Sequence, residues 1–204
     1  MNITDTYKTI ETPGEEALFK DKNSKFFGYS FPITNEEDVK PIIDSLKKKH
    51  HAARHWCYAW QLGTENIRYR SNDDGEPSNS AGQPIYGQIQ SFEVTNILIV
   101  VVRYFGGVKL GVGGLINAYR TAAQLSLEAS NIIEKTINIK FCITFEYKNM
   151  NKVMRIIKER QLSITAQKLE LDCKLFISVR KTIADEINEL FSALYEIDIK
   201  RLEH

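Results

Sequence analysis

Hydrophobic and polar positions run in two rhythms along this chain of 204 residues. From Ile137 onward the rhythm is regular. Ile137 to Tyr147 alternates as a strand, and Asn149 to Arg160 repeats at helical spacing. Ser163 to Leu171 and Lys174 to Arg180 read as strands on either side of Asp172. Ile183 to Leu194 reads as a helix and Glu196 to Arg201 as a last strand. The order βαββαβ is the split-βαβ, ferredoxin-like plan. It hosts many functions and settles none.

Before Lys135 the rhythm is mixed. Ser24 to Phe31 alternates and is rich in aromatics, which suits a strand. Val39, Ile42, Ile43 and Leu46 place a helix over Asn35 to Lys49, capped by Thr34 or Asn35. Arg54 to Leu62 and Ile67 to Arg70 read as strands of a hairpin about 63–66. Ala81 to Phe92 reads as a short helix. Ile97 to Val102 is continuously apolar and β-branched, which predicts a central strand buried on both faces. Leu115, Ala118, Tyr119, Ala122, Leu125 and Ala129 place a helix over Gly113 to Asn131. The chain thus divides into an α+β domain over 1–135 and a ferredoxin-like domain over 136–201. Residues 202–204 read as a tag remnant.

Glycine and proline sharpen that boundary. All 11 glycines lie at or before Gly114 and all five prolines at or before Pro84. The first part is loop-rich and the second is built of regular elements. Charge changes the picture less. Lys and Arg number 27 against 26 Asp and Glu, a formal charge of +1, which excludes nucleic-acid binding through overall basicity but not through a local patch. Residues 1–135 carry 15 basic and 16 acidic side chains. No apolar run approaches the ~20 residues that span a bilayer. Met1 to Thr9 has no apolar signal region, and Cys57, Cys142 and Cys173 are odd in number and widely spaced. A reducing cytoplasm is the expectation, with no membrane.

Three segments carry candidate chemistry. Arg103-Tyr104-Phe105-Gly106-Gly107-Val108-Lys109-Leu110-Gly111-Val112-Gly113-Gly114 follows the buried strand and opens the long helix. Its glycines free backbone N–H groups, and a helix N-terminus adds about half a positive charge. Arg103 and Lys109 stand in reach, so the loop is a candidate anion site. Packing of the strand against the helix explains the same glycines equally well. The loop is neither a P-loop, since Leu110 follows Lys109, nor a dinucleotide fingerprint, since Ile116 stands where a small residue is needed. Asp73, Asp74 and Glu76 put three carboxylates into four residues. Such a cluster suits magnesium with a phosphate co-ligand, but it also makes turns and caps, with Ser80 as the expected helix cap. Pairing of this loop with Arg103, Lys109 or Arg120 is the expectation, and no metal. In the third segment a strand puts His55 and Cys57 on one face and Trp56, Tyr58 and Trp60 on the other. Thiol catalysis and zinc binding both lack the remaining groups they need. The aromatics are expected to pack beneath a helix, with base stacking as the alternative.

The runs NSKFFGYSFPI (23–33), ARHWCYAW (53–60), DDGEPSNSAGQPI (73–85) and VVRYFGGVKLGVGGLINAYRTAA (101–123) resemble the IMPACT family, in its bacterial YigZ branch. The resemblance implies a first domain like the β/α sandwich shared by a ribosomal protein and the GHMP small-molecule kinases. It implies a second domain like the last domain of elongation factor G. Eukaryotic relatives regulate translation initiation, partly through an extra N-terminal domain. Nucleic-acid or ribosome binding has been proposed for bacterial members from their folds. The family pattern carries over at Lys25, His55, Cys57, Asp73 to Pro77, Arg103 to Gly107, Gly111, Gly113, Gly114 and Tyr119, among others. It departs at Asn79-Ser80, where Gly-Thr is usual, and at Asn117, where a basic residue is common. Ile116-Asn117 also lack the hydroxyls of a GHMP phosphate loop.

Together these readings give a cytoplasmic, translation-linked regulator without catalysis of its own and without a cofactor. Its partner is RNA or the ribosome, or else a translation factor or other protein. The expected contact surface comprises Lys25, Arg54, His55, Arg103, Tyr104, Gly106, Gly107, Lys109, Gly111, Gly113, Gly114 and Arg120. Asp73, Asp74 and Glu76 support it. The alternatives are a magnesium-dependent enzyme on a phosphorylated substrate, with the acidic loop facing the glycine loop across a closed pocket, and a protein-interaction module.

Overall fold

The structure is a computed structural model that describes residues 5–202, so His204 and Glu203 of the expected tag remnant lie outside the described residues. It is a mixed α/β protein with three sheets and five helices among the described residues. Two compact units divide the chain, one over Tyr7–Lys135 and the other over the remainder.

The first unit is built on a five-stranded antiparallel sheet in the order β2-β3-β6-β4-β5. These strands are β2 (Ala17–Asp21), β3 (Ser24–Pro32), β4 (His55–Leu62), β5 (Arg68–Asn72) and β6 (Ile97–Tyr104). The apolar run of β6 sits in the middle, as its composition predicts. Its residues alternate between two cores. Ile97, Ile99 and Val101 face α2 (Gly82–Ser91) and α3 (Gly111–Glu128), while Leu98, Val100 and Val102 face α1 (Val39–Lys49). Strand β4 follows the same rule. Cys57 and Ala59 join the α2–α3 core, and Trp60, with the partly buried Trp56 and Tyr58, joins the α1 core. The three aromatics thus pack beneath a helix. A two-stranded sheet pairs β1 (Thr6–Ile10) with β7 (Ile132–Thr136). These short strands and β2 carry too few alternating apolar positions to stand out in the sequence.

The second unit runs β8 (Asn138–Glu146), α4 (Met150–Glu159), β9 (Ser163–Lys168), β10 (Asp172–Arg180), α5 (Lys181–Ser192) and β11 (Ile197–Arg201). The sheet order is β11-β8-β10-β9. Strict alternation buries Ile139, Phe141, Ile143 and Phe145 of β8 on one face. Cys173, Leu175, Ile177 and Val179 of β10 join them beneath α4 and α5. Asp5 is held by Arg180 and by the Thr182 hydroxyl at 2.8 Å. No helix among the described residues is long and apolar enough to cross a membrane.

Candidate functional site

The acidic segment is wired to backbone, not to solvent. Both oxygens of Asp73 are used. Oδ1 accepts from the N–H groups of Ala81 and Gly82 at 3.0 and 2.8 Å, and Oδ2 from Asn79 at 2.9 Å. Asp73 therefore satisfies the start of α2, a role the sequence assigns to Ser80. The Ser80 hydroxyl instead donates to the Pro77 carbonyl at 2.6 Å. Asp74 adopts a positive φ of 41°, which turns its Oδ2 onto the Trp56 N–H at 2.7 Å and its carbonyl onto His55 Nδ1 at 2.8 Å. These bonds clamp the loop to the first residues of β4.

Glu76 points the other way, into the unit. Its Oε1 accepts from Arg103 Nη1 at 2.6 Å and from the Tyr119 hydroxyl at 2.8 Å. The side chains of Arg103 and Glu76 are only 7% and 4% exposed, so this is a buried ion pair. The Arg103 guanidinium lies between the rings of Phe26 and Phe105, 5.5 Å from each. Its Nε is buried and has no hydrogen-bond partner. The expected pairing of the acidic loop with a base of the glycine loop is thus formed by Arg103.

Cys57 lies beneath this pair. Its thiol donates to the Asp73 carbonyl at 3.0 Å and contacts the Tyr119 hydroxyl at 3.3 Å. Burial pushes the thiol well above its ordinary range, and the nearby carboxylates push the same way, against a smaller opposing effect of the Tyr119 bond. Its burial and its bonds make it a packed group with its thiol held protonated. Burial likewise raises the Tyr119 phenol, reinforced by Cys57 and Glu76, so Tyr119 serves as a neutral donor.

Above the pair opens a cavity of about 450 Å³. The acidic loop contributes Glu76 and Pro77, β4 and its entry Arg54 and His55, and the glycine loop Arg103, Phe105 and Lys109 through Val112. Leu115 of α3 completes the wall. The first turn of α3 starts here, and no side chain caps it. Among the described residues Arg54 and Lys109 form no ion pair, so positive charge in the cavity outweighs Glu76, which Arg103 already neutralises.

The glycines separate into two kinds. A Cβ on Gly106 would lie 2.1 Å from the Asn23 carbonyl carbon, so packing against the β2–β3 turn demands glycine there. Gly107 and Gly111 have φ of 85° and 74° with open space around the missing Cβ. Gly113 is helical and also meets nothing within 4 Å. Nothing inside the chain requires glycine at 113, although glycine in a helix costs about 1 kcal/mol relative to alanine.

Several expected residues lie elsewhere. Tyr104 and Lys25 are cross-strand partners on the α1 face of the sheet, where the Tyr104 hydroxyl meets His50 Nδ1 at 3.0 Å. Arg120 is exposed on α3 and does not line the cavity, nor do Gly106, Gly107, Gly113 and Gly114. In turn Tyr119, Phe105 and Pro77, which match the family pattern but were not expected in the contact surface, enter the site. A lone hydroxyl on the apolar stripe of Leu115, Ala118, Tyr119 and Ala122 was the available signal for Tyr119. No group of three or more His, Cys, Asp or Glu arranged to hold a metal occurs among the described residues.

Comparison with known proteins covers the same segments. The Impact N-terminal domain matches residues 22–127. An IMPACT family member of Haemophilus influenzae is 31% identical over 186 residues, spanning 87% of this chain and 89% of its own length. The IMPACT family member YigZ of Escherichia coli is 32% identical over 138 residues, spanning 67% and 68%. A crystal structure of a hypothetical protein covers 99% of this chain and 100% of its own, with a TM-score of 0.70 at 23% identity, which shows a shared fold.

Proposed function

The chain belongs to the IMPACT family, and from that premise we propose that it is a translation-linked regulator that grips RNA by its phosphates at the cavity of the first unit. One observation carries the reading. Arg54, Arg103 and Lys109 converge with the uncapped start of α3 on one cavity, while the nearby carboxylates are turned to other partners. Arg54 and Lys109 supply charge, and the loop amides supply hydrogen bonds, the two components of phosphate recognition. Phe105 and Val112, 46% and 54% exposed, offer apolar surface to a base beside the phosphate. The RNA is free or ribosomal, and the link to translation comes from the family resemblance. On this reading the protein is cytoplasmic, and its second unit is a ferredoxin-like domain.

The enzyme reading has one observation in its favour, since the acidic and glycine loops do share a cavity. Against it, Asp73, Asp74 and Glu76 are committed to backbone N–H groups, Arg103 and Tyr119, which leaves no open carboxylate set for magnesium. The test is titration of labelled single-stranded RNA and of 30S subunits at two salt concentrations. Binding that weakens with salt and is lost in Lys109→Glu plus Arg54→Glu supports the proposal. Binding unaffected by those changes moves the contact surface elsewhere. No binding at low salt, with saturable binding of a magnesium nucleotide, supports the enzyme.

A further inference from the structure

Inside the cavity, one hydrogen-bonding group has the wrong polarity for a phosphodiester. His55 Nδ1 lies 2.8 Å from the Asp74 carbonyl oxygen, which can only accept. Nδ1 therefore carries the ring hydrogen, and Nε2 of the neutral ring is a bare acceptor. Among the described residues no hydrogen bond to it is formed. The Glu76 Oε1 atom stands 4.0 Å away, beyond hydrogen-bond range, and is itself an acceptor. The Asp74 carbonyl holds the ring from one side, and a Cβ on Gly75 would lie 3.6 Å from Nδ1. The side chain is 23% exposed and lines the cavity together with Arg54, Arg103 and Lys109.

A ligand that brings only phosphate oxygens into this cavity satisfies the cations and leaves Nε2 facing another acceptor. A ligand that also brings a donor, such as a hydroxyl, suits every group of the cavity. Deoxyribose inside a strand has none, whereas ribose has its 2′-hydroxyl beside the phosphate. We infer that His55 Nε2 accepts a hydrogen bond from a ribose 2′-hydroxyl of the bound strand, which makes the site select RNA over DNA. This rests on the phosphate-binding reading above and adds the sugar to it. The 2′-hydroxyl is the group by which a protein separates the two nucleic acids.

The test compares three labelled single strands of one sequence on the full chain: RNA, DNA with uracil, and 2′-O-methyl RNA. The methyl group keeps the oxygen and removes the donor. RNA is expected to bind about tenfold more tightly than either of the others, the size of one buried hydrogen bond. In His55→Phe that ratio is expected to fall to near one, with folding checked by circular dichroism. Lys109→Glu is expected to weaken all three strands together and leave the ratio in place. Equal affinity of the unmodified protein for RNA and 2′-O-methyl RNA overturns the inference without any variant. If those equal affinities still fall in Lys109→Glu, phosphate binding stands and the sugar contact alone fails. If no strand binds at low salt, the phosphate reading fails with it.

Discussion

The two units bury different things. In the second, the core beneath α4 and α5 consists of aliphatic and aromatic side chains with Cys173. In the first, Arg103, Glu76 and His50 are buried amid a comparable apolar core, along with Ser24, Ser30 and Ser126. Apart from Asp5, every buried polar or charged residue among those described belongs to Tyr7–Lys135. Burying an ion pair gains little stability over packed hydrophobic groups of the same volume. A unit that tolerates this cost beside a cavity is shaped by something other than its own folding. The difference between the units thus draws attention to the same cavity as the loop composition does.

The sharpest way to break this comparison is to remove one member of the pair. Glu76→Ala leaves Arg103 buried with no carboxylate, and a loss of about 3–5 kcal/mol is expected. Both tryptophans, Trp56 and Trp60, lie in the first unit, so urea unfolding followed by tryptophan fluorescence reads this unit directly. Glu76→Leu with Arg103→Leu should recover much of the loss while abolishing RNA binding. Failure of the double variant to recover stability would mean that the pair itself holds the unit together.

In the second unit the corresponding test is plain packing. Ile143 is fully buried at the centre of β8, and Ile143→Ala is expected to cost about 2–5 kcal/mol through lost contacts and a cavity. The loss should appear in circular dichroism, and no paired replacement by a charged residue should restore it.

Two glycines of the loop and helix, Gly106 and Gly113, separate packing from function at smaller scale. Gly106→Ala pushes a methyl group into the Asn23–Ser24 backbone and should cost about 1–3 kcal/mol. Gly113→Ala meets open space and should stabilise the helix by up to about 1 kcal/mol, while weakening RNA binding by crowding the first turn. Gly113→Ala that leaves affinity unchanged would remove the helix start from the contact.

The sequence made the second unit legible because β8 and β10 alternate strictly and α4 and α5 each carry one apolar stripe. The first unit was legible at β6 and at α1, where runs of Val, Ile and Leu decide the fold. It was not at β1, β2 and β7, whose short strands are recognised only through their partners. The site followed the same pattern. Its loops stood out by composition, but their convergence is tertiary. Tyr104 follows Arg103 and Lys25 pairs with Tyr104 across the sheet, yet strand alternation sends both to the face opposite Arg103. Glu76 and Tyr119 are 43 residues apart and meet only because β6 carries Arg103 between them.

The smallest effect expected from polar burial is a pH slope at His50, on the α1 face. The neutral ring satisfies its neighbours, with Nε2 donating to Tyr29 at 2.6 Å and Nδ1 accepting from Tyr104 at 3.0 Å, while the Tyr29 hydroxyl donates to Glu16. Burial holds the His50 pKa below its ordinary value near 6.5, Lys49 adds to that, and Glu16 opposes it. As pH falls through that ordinary value, the unfolded chain takes up a proton that the folded ring refuses, so stability declines and levels off below the folded pKa. The Glu16 carboxyl is held below its ordinary 4.5 by its bonds to Lys49 and Tyr29, so its own loss comes at lower pH and does not mask the histidine. Urea midpoints measured between pH 8 and 5 by tryptophan fluorescence should therefore fall on the acidic side. His50→Gln should flatten that decline. A decline that survives in His50→Gln would assign it to another group of the first unit and leave its buried cation–carboxylate pair as the unit's main electrostatic cost.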